Sequence, residues 1–355
     1  MREEIEVDNH KLMYHPRRVD EYMQKGDCYP VYVEIGPTNR CNHKCVFCAL
    51  DGFEHGGHDI DKDIMVITLK DMARHGVKSV MFAGEGEPVL HEDIGLFTKK
   101  AKQYGLDVSM TTNGALFNTK KREQCLPNLS WIRFSIDSGE PENYSKVHRT
   151  NQNDFEKVMN NIKESVIYRN KNNLETTIGT QFLVIPENMG QATKLAKRLK
   201  DIGADNLQIK PYSHHPKSRK DFSKFIVNLE RYNFLEEELE KFNSKNFKIL
   251  FRRATAERLD TERNYKECYG LSFFTLIEAK GNIIPCNLFH DNPEFTYGNL
   301  YKNSFSEIWE GDKRKKIIQK IRGQGIKACR KGCRLDVINR YLYRIKNPHP
   351  HDNFI

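Results

Sequence analysis

The sequence predicts an α/β protein built on a parallel sheet. Along residues 31–210, short runs rich in β-branched and aromatic residues alternate with segments of helical periodicity, as in βα units. Six strands are predicted, namely Val31–Ile35, Ser79–Ala83, Asp107–Thr111, Trp131–Ile136, Thr177–Val184 and Asn206–Lys210. Six units fall short of the eight of a closed barrel, so an open, partial barrel or a doubly wound sheet is expected.

Helices are predicted between these strands and beyond them. They lie around residues 67–75, 92–104, 119–126, 153–170 and 190–202, and a charged amphipathic helix over 221–242 follows as a linker or lid. From about residue 265 the pattern changes to a hairpin around Lys280-Gly281-Asn282, followed by a helix near 304–321. We therefore divide the chain into an N-terminal extension (1–29), a core (30–215), a helical linker (216–264), a small α+β appendage (265–335) and a tail (336–355).

Composition and charge restrict the location and the partners. No apolar run approaches the roughly 18 residues of a bilayer-spanning helix, and the charged N-terminus lacks the apolar stretch of a secretory signal. A cytoplasmic protein without a membrane span is expected. The net charge of +9 suits an anionic partner, such as a phosphorylated or nucleotide-linked small molecule. The basic residues are scattered, which counts against nucleic acid as the partner.

The first cysteine group follows the first predicted strand. Nine cysteines in a reducing compartment indicate metal or redox chemistry, and Cys41, Cys45 and Cys48 form a C-x3-C-x2-C pattern in TNRCNHKCVFC. Three thiolates on one loop bind three irons of a four-iron cubane and leave the fourth iron open. The alternatives are a zinc site completed by His43 or a distant cysteine, and three unrelated buried thiols.

Phe47 completes a C-x3-C-x-aromatic-C sequence, and the loop resembles the fingerprint of the radical S-adenosylmethionine (SAM) superfamily. The resemblance implies a partial (β/α)6 TIM-like barrel and a [4Fe-4S] cluster on these three cysteines. In that family the open iron chelates SAM, and reductive cleavage yields a 5′-deoxyadenosyl radical that abstracts a substrate hydrogen. A flavodoxin- or ferredoxin-type protein is the implied electron donor.

The same resemblance identifies candidate SAM contacts after the next strands. The stretch 83–88 resembles the family's G-G-E-P loop, with Glu85 in place of one glycine, and loop carbonyls together with one carboxylate are expected to accept from the SAM ammonium. Polar residues at the ends of the third and fourth strands resemble contacts to the methionine and ribose, and an arginine resembles the partner of the SAM carboxylate. For these single residues, an ordinary strand-end or surface position is the alternative. The cofactor-binding candidates are Phe47, Gly86, Glu87, Pro88, Asn113, Ser135, Asp137 and Arg149.

The second cysteine group lies in the C-terminal appendage. Cys268, Cys286, Cys329 and Cys333 suffice to coordinate one auxiliary [4Fe-4S] cluster completely. The arrangement resembles the SPASM appendage in its shortened Twitch form, and a structural zinc site is the alternative. Cys28 and Cys125 remain and are expected to be inert thiols, unless one of them donates a hydrogen atom in an epimerase.

The resemblance implies an oxidoreductase, and the favoured reaction is oxidation of a small sugar-like or aminocyclitol molecule. A base takes the hydroxyl proton, and the auxiliary cluster accepts an electron. Lys210, Tyr212 and His214 are the candidates for this catalytic role, because barrel strands present their C-terminal ends to the active site. The alternatives are radical epimerisation, maturation of a peptide or protein, RNA modification, and a zinc-stabilised binding module that is not an enzyme. Only about 30 residues precede the first strand, few for a peptide-recognition domain.

Overall fold

One sheet organises the whole fold. The structure, a computed structural model, describes residues 10–52, 56–218 and 229–354. Within them the strand order is β10-β9-β8-β1-β2-β3-β4-β5-β6-β7. The strands are β1 (Tyr32–Ile35), β2 (Ser79–Phe82), β3 (Asp107–Thr112), β4 (Trp131–Ser135), β5 (Thr177–Val184), β6 (Asn206–Pro211), β7 (Lys248–Phe251), β8 (Phe274–Ile277), β9 (Asn282–Ile284) and β10 (Gly298–Asn299).

The eight neighbouring strands from β8 to β7 are parallel, and β9 and β10 continue the sheet antiparallel beside β8. The six predicted strands correspond to β1 to β6, and the predicted α/β partial barrel is confirmed. The predicted hairpin is present as β8 and β9. Its first strand also pairs with β1 and so extends the barrel, which the sequence analysis did not foresee.

Helices cover the outer face of the sheet. They are α1 (Pro16–Lys25), α2 (Lys62–Arg74), α3 (Ile94–Gln103), α4 (Thr119–Cys125), α5 (Pro141–His148), α6 (Asn153–Lys171), α7 (Ala192–Ile202), α8 (Leu229–Glu240), α9 (Arg253–Asp260), α10 (Phe305–Glu310), α11 (Asp312–Gln324) and α12 (Asp336–Lys346). The linker helix predicted over 221–242 is described only as α8, since residues 219–228 lie outside the described residues. None of the helices described is long and apolar enough to cross a membrane.

The prediction of one helix near 304–321 is wrong in detail. The segment forms α10 and α11, which meet at Gly311. Gly311 has an extended backbone (ψ 147°), so the helical hydrogen-bond ladder stops there and restarts with Asp312. Ser304 caps α10, because its hydroxyl accepts from the Glu307 backbone N–H and the Glu307 carboxylate accepts from the Ser304 backbone N–H.

Side chains alternate along the strands between an apolar layer and a polar lumen. On β4, Ile132 and Phe134 are fully buried in the main core with the helices, whereas Trp131, Arg133 and Ser135 are half-buried on the opposite face. Arg133 Nη1 donates to Gln208 Oε1 on β6 at 3.1 Å, which places both side chains inside the partial barrel. The lumen is therefore the surface on which polar chemistry is available.

The C-terminal segment spans the open side of the barrel. Among the strands described, β7 and β8 are the two ends of the parallel set and are not paired with each other. Arg330 Nη2 donates to the Ser213 carbonyl at 3.0 Å, and the Gly332 N–H donates to Ser213 Oγ at 3.1 Å, just beyond β6. Arg334 forms an ion pair with Glu34 on β1. The segment around Cys333 thus joins the two sides of the lumen.

Candidate active site between two cysteine groups

The loop after β1 carries the first three cysteines and is fixed on two sides. The Lys44 and Val46 N–H groups donate to the carbonyls of His148 and Val147 at the end of α5, at 3.1 and 2.9 Å. The Glu87 N–H, from the loop after β2, donates to the Arg40 carbonyl at 2.8 Å. The cysteine loop therefore lies at the C-terminal ends of the strands, as predicted.

The three thiols of this loop form one interacting group. Burial raises the pKa of Cys41 to about 11, and burial together with the neighbouring Cys48 and Cys41 raises the pKa of Cys45 well above its ordinary value. All nine cysteines are free of disulfides. Crowded, buried thiols are poor thiolates unless a cation compensates their charge, so the donor set fits a cationic iron centre.

His148 donates a hydrogen bond to one of these sulfurs. The backbone N–H of Asp137 donates to His148 Nε2 at 3.2 Å, so Nε2 is the acceptor and Nδ1 carries the proton. Nδ1 lies 3.2 Å from Cys45 Sγ. Burial lowers the pKa of His148 well below its usual range, which keeps the ring neutral in this tautomer. The result is an N–H···S bond of the kind that tunes iron–sulfur centres.

His43, the ligand named in the zinc alternative, also lies beside Cys45. Ligand atoms of His43, Cys45 and His148 lie within 4.8 Å of one another. His43 Nε2 faces Asp154 Oδ2 at 3.6 Å. The geometry of the described residues leaves both kinds of metal centre open, and the comparisons below distinguish them.

The loop after β2 packs tightly against the cysteine loop through Gly86. A Cβ at this position would lie 2.3 Å from the Arg40 carbonyl oxygen and 2.5 Å from that of Thr38. Pro88 begins a short 3-10 helix after this loop. Glycine is therefore required here for close approach of two backbones.

The Glu87 carboxylate is held by groups of the protein itself. It accepts from Thr112 Oγ1 at 2.6 Å, from the Asn113 N–H at 2.7 Å and from the Val89 N–H at 3.1 Å. It therefore joins the loops after β2 and β3. The predicted contact with the SAM ammonium stays a prediction.

The remaining SAM candidates range from buried to exposed. Asn113 Nδ2 donates to Asn42 Oδ1 at 2.8 Å, which connects β3 to the cysteine loop. Ser135 is half-buried at the end of β4, and Phe47 packs edge-on against the ring of His148 with centroids 5.6 Å apart. Arg149 is exposed and ends α5 in a left-handed conformation (φ 47°).

Asp137 is the most enclosed of these candidates. Its carboxylate accepts from the Leu183 N–H and faces His148 Nε2 at 3.5 Å. Burial raises the pKa of Asp137 to about 7. The Asp137 side chain thus lies beside the His148 ring, which contacts Cys45, and beside the end of β5.

The second cysteine group gathers at the open side of the barrel. Cys268 precedes β8, Cys286 follows β9, and Cys329 and Cys333 lie between α11 and α12. Burial raises the pKa of Cys268 to about 12, and Cys333 contributes to this rise and to that of Cys286. Asn339 Nδ2 donates to Cys268 Sγ at 3.5 Å. Four interacting thiols with an N–H donor fit a fully coordinated iron–sulfur cluster.

A cavity of about 60 Å³ lies between this group and the lumen, and Lys210 lines it. Burial, together with guanidinium groups such as Arg330 and Arg252, lowers the pKa of Lys210 to about 7. The residues lining the cavity are Lys210, Phe274, Leu276, Cys286, Asn287, Arg330, Gly332, Cys333, Arg334 and Leu335.

The three predicted catalytic residues do not share one environment. Lys210 faces the lumen on β6. Tyr212 is buried with Val46, Val147 and Ile185, beside the cysteine loop. His214 is half-buried in the segment after β6. Of the three, Lys210 lines the cavity at the second cysteine group.

Sequence reasoning missed the arginines of the lumen. Arg133 alternates with apolar residues in W-I-R-F-S, a pattern that indicates a polar inner face and was available in the sequence. Arg330 and Arg334 reach the lumen only through the folding of the C-terminal segment, and no local pattern signals this.

Comparison with known families and proteins accounts for both cysteine groups. Residues 35–199 match the radical SAM superfamily, and residues 268–334 match the SPASM iron–sulfur cluster-binding domain. A probable GTP 3′,8-cyclase of Methanocaldococcus jannaschii is 27% identical over 272 residues, covering 73% of this chain and 86% of the relative. One from Saccharolobus solfataricus is 27% identical over 178 residues, and the match covers about half of each chain.

Solved structures share the fold at low identity. Streptococcus suis SuiB superposes with a TM-score of 0.67 at 18% identity, covering 96% of this chain and 79% of that chain. The protein anSMEcpe, solved with AdoMet and the Cp18Cys peptide, gives 0.56 at 18% identity, covering 89% and 95% of the two chains.

These matches confirm the predicted cofactors and exclude the zinc-stabilised binding module. Cys41, Cys45 and Cys48 lie within the radical SAM match, and Cys268, Cys286, Cys329 and Cys333 lie within the SPASM match. The chain is a member of the radical SAM superfamily that uses SAM with a [4Fe-4S] cluster in its core and carries an auxiliary iron–sulfur cluster in a SPASM domain.

Proposed function

We propose that the protein is a radical SAM dehydrogenase that oxidises a small hydroxyl-bearing molecule, of the sugar or aminocyclitol kind, held in the barrel lumen. The observation that supports this most is the cavity in which Lys210 of the barrel meets Cys286 and Cys333 of the auxiliary site. A substrate bound there has a proton acceptor and an electron acceptor next to it.

The reaction removes one hydrogen atom, one proton and one electron from a carbinol group and leaves a carbonyl. SAM and the two clusters, when bound, supply the 5′-deoxyadenosyl radical that takes the hydrogen atom and the acceptor for the electron. The protein has to exclude water, orient the hydroxyl and accept its proton. A flavodoxin- or ferredoxin-type donor is the proposed physiological reductant.

Lys210 is the best placed of the predicted residues to accept that proton. It projects from β6 into the lumen, where Arg133, Arg252, Arg330 and Arg334 all act on its charge. Four guanidinium neighbours disfavour the ammonium and so favour the neutral amine that a base requires. Tyr212 lacks this position, because it packs in an apolar cluster with Val46 and Val147.

The two spare cysteines support dehydrogenation over epimerisation. Cys28 Sγ donates to the Ser272 carbonyl at 3.5 Å and packs in an apolar cluster with Tyr22 and Phe273. Cys125 is fully buried in the main core at the end of α4, on the helix side of the sheet. Neither thiol lines the cavity, so neither is placed to return a hydrogen atom to a substrate radical there.

The structures of SuiB and anSMEcpe have been solved with peptides, so a peptide is the second class of substrate to test. The names of the cyclase relatives concern those proteins, and they make phosphorylated small molecules the first class to test.

The test uses anaerobically reconstituted protein, SAM, dithionite or a flavodoxin donor, and candidate sugars deuterated at one carbinol carbon. We expect deuterium in 5′-deoxyadenosine and a product that lacks two hydrogens. Lys210→Met should reduce product formation at least about 100-fold while 5′-deoxyadenosine still forms, and Lys197→Met, at an exposed position of α7, should leave both unchanged. A product of unchanged mass with an inverted centre would indicate an epimerase, and full product formation by Lys210→Met would exclude Lys210 as the base.

A further inference from the structure

Cationic side chains outnumber acidic ones inside the lumen. Lys210 is surrounded by the guanidinium groups of Arg133 on β4, Arg252 after β7, and Arg330 and Arg334 of the C-terminal segment. Two carboxylates that act on this group are Glu34, which pairs with Arg334, and Asp137, which accepts from the Leu183 N–H. These cations are half-buried, apart from the more exposed Arg334, and like charges gathered on one surface attract an anion.

Arg133 and Arg330 have only uncharged hydrogen-bond partners in the part of the chain described. Arg133 donates to Gln208 Oε1 at 3.1 Å and to Thr111 Oγ1 at 3.5 Å, and its guanidinium lies 4.8 Å from the centre of the Trp131 ring. Arg330 donates to the Ser213 carbonyl. The Nε atoms of both arginines are buried and have no hydrogen-bond partner there. Both guanidinium groups therefore retain donors for a ligand.

The auxiliary cluster accounts for only part of this charge. Arg330 and Arg334 line the cavity with Cys286 and Cys333, so their charge offsets that of the thiolates. Arg133 is different, because its contacts are with Thr111, Trp131 and Gln208, and none of these is a cysteine. The guanidinium of Arg133 is therefore available to an anion on the β4 side of the lumen.

We infer that the lumen binds an oxyanion group of the substrate, a phosphate or a carboxylate, through the guanidinium groups of Arg133 and Arg330. Guanidinium forks bind such groups bidentately, and arginine keeps its charge when buried. The inference rests on the proposed function for the position of the substrate.

The test measures anion binding without turnover. Holoprotein with SAM, kept without reductant, is titrated calorimetrically with inorganic phosphate in one arm and with succinate in the other, which distinguishes a phosphorylated from a carboxylated substrate. Arg133→Gln should weaken binding of the preferred anion about tenfold, and Arg133→Lys should weaken it less. Arg17→Gln removes the same charge from an exposed position of α1 and should leave the affinity unchanged. Iron content and melting temperature identify a variant that has failed to fold.

Three results would overturn the inference: neither anion binds the wild-type protein, Arg133→Gln binds both as tightly as the wild type, or Arg133→Gln alters only the midpoint potential of the auxiliary cluster. The last result would mean that the cations serve the cluster alone. Because no turnover is measured, failure here leaves the dehydrogenase proposal intact. Conversely, absence of an oxidised product does not alter the anion affinities.

Discussion

Gly86→Ala tests the contact between the cysteine loop and the loop after β2. The added methyl would lie 2.3 Å from the Arg40 carbonyl oxygen, 2.5 Å from that of Thr38 and 2.9 Å from the Arg40 nitrogen. All three atoms belong to backbone just before Cys41, so no side-chain rotation relieves the clash. Ordinary contact starts at 3.4 Å, so one loop must move by about 1 Å.

The expected loss of stability in Gly86→Ala is the sum of two free-energy costs. Overpacking of this kind costs about 1–3 kcal/mol. The same movement stretches the 2.8 Å hydrogen bond from the Glu87 N–H to the Arg40 carbonyl, which contributes about 1 kcal/mol. We therefore expect the free energy of unfolding to fall by about 2–4 kcal/mol. Displacement of the chain before Cys41 should also lower the iron bound per chain.

Anaerobic urea denaturation and iron analysis after reconstitution measure both effects. Gly323→Ala is the matched control, because nothing lies within 4 Å of its added methyl in the last turn of α11. That change should be neutral or stabilise by about 0.5 kcal/mol. If Gly86→Ala matched Gly323→Ala in stability and iron content, the close-approach explanation of Gly86 would be refuted.

Three further substitutions test other contacts. His148→Phe removes the N–H donor to Cys45 Sγ, so the midpoint potential of the core cluster should fall in an EPR redox titration. Burial raises the pKa of Glu85 to about 7, so its ionisation destabilises the native state as pH rises from the unfolded pKa of 4.5 through 7. Glu85→Gln should remove a pH-dependent loss of up to about 3 kcal/mol in urea denaturation. Arg314→Met removes two hydrogen bonds of 2.6 and 2.8 Å to Asp27, whose side chain is partly exposed to water, and should cost about 1–2 kcal/mol in thermal unfolding.

Two of these variants have a matched control in the chain. Glu92→Gln, at an exposed site, should leave the pH profile of stability unchanged, and parallel profiles for Glu85→Gln and the wild type would contradict the burial argument. Arg198→Met removes a surface ion pair with Glu156 and should change stability by about 0.5 kcal/mol or less. An unaltered cluster potential in His148→Phe would mean that the N–H···S bond has no electronic effect.

The barrel strands were predictable because their signal is local. Strand β5, for example, was predicted with the bounds that the structure has. Strand β8 was recognised as one arm of a hairpin, but its pairing with β1 joins residues about 240 positions apart. A run of apolar residues predicts that a strand is buried without specifying its neighbour. The break at Gly311 was missed because helical periodicity continues on both sides of it.

The site was predictable to a similar extent. The cysteine spacing within residues 41–48 and the glycine in the loop after β2 are local features, and both led to the correct family. The tasks of single polar groups depend on packing. The Glu87 carboxylate is held by Thr112 and Asn113, and the His148 ring at the end of α5 contacts Cys45, which lies 103 positions earlier in the chain. Spacing alone carries no information about such contacts.

Glu85, which departs from the family's motif, connects the barrel core to the C-terminal appendage. Glu85 stands where the motif that this loop resembles has a glycine, and its carboxylate accepts from the Ala279 N–H in the turn between β8 and β9. The sheet is also continuous from β1 into β8. The two segments on either side of the boundary predicted near residue 265 therefore contribute strands to the same sheet. The loop beside the first cysteine group is therefore hydrogen-bonded to the turn that leads, through β9, to Cys286. The lumen between the two cysteine groups depends on both parts for its walls, which explains why its arginines come from β4 and from the C-terminal segment alike.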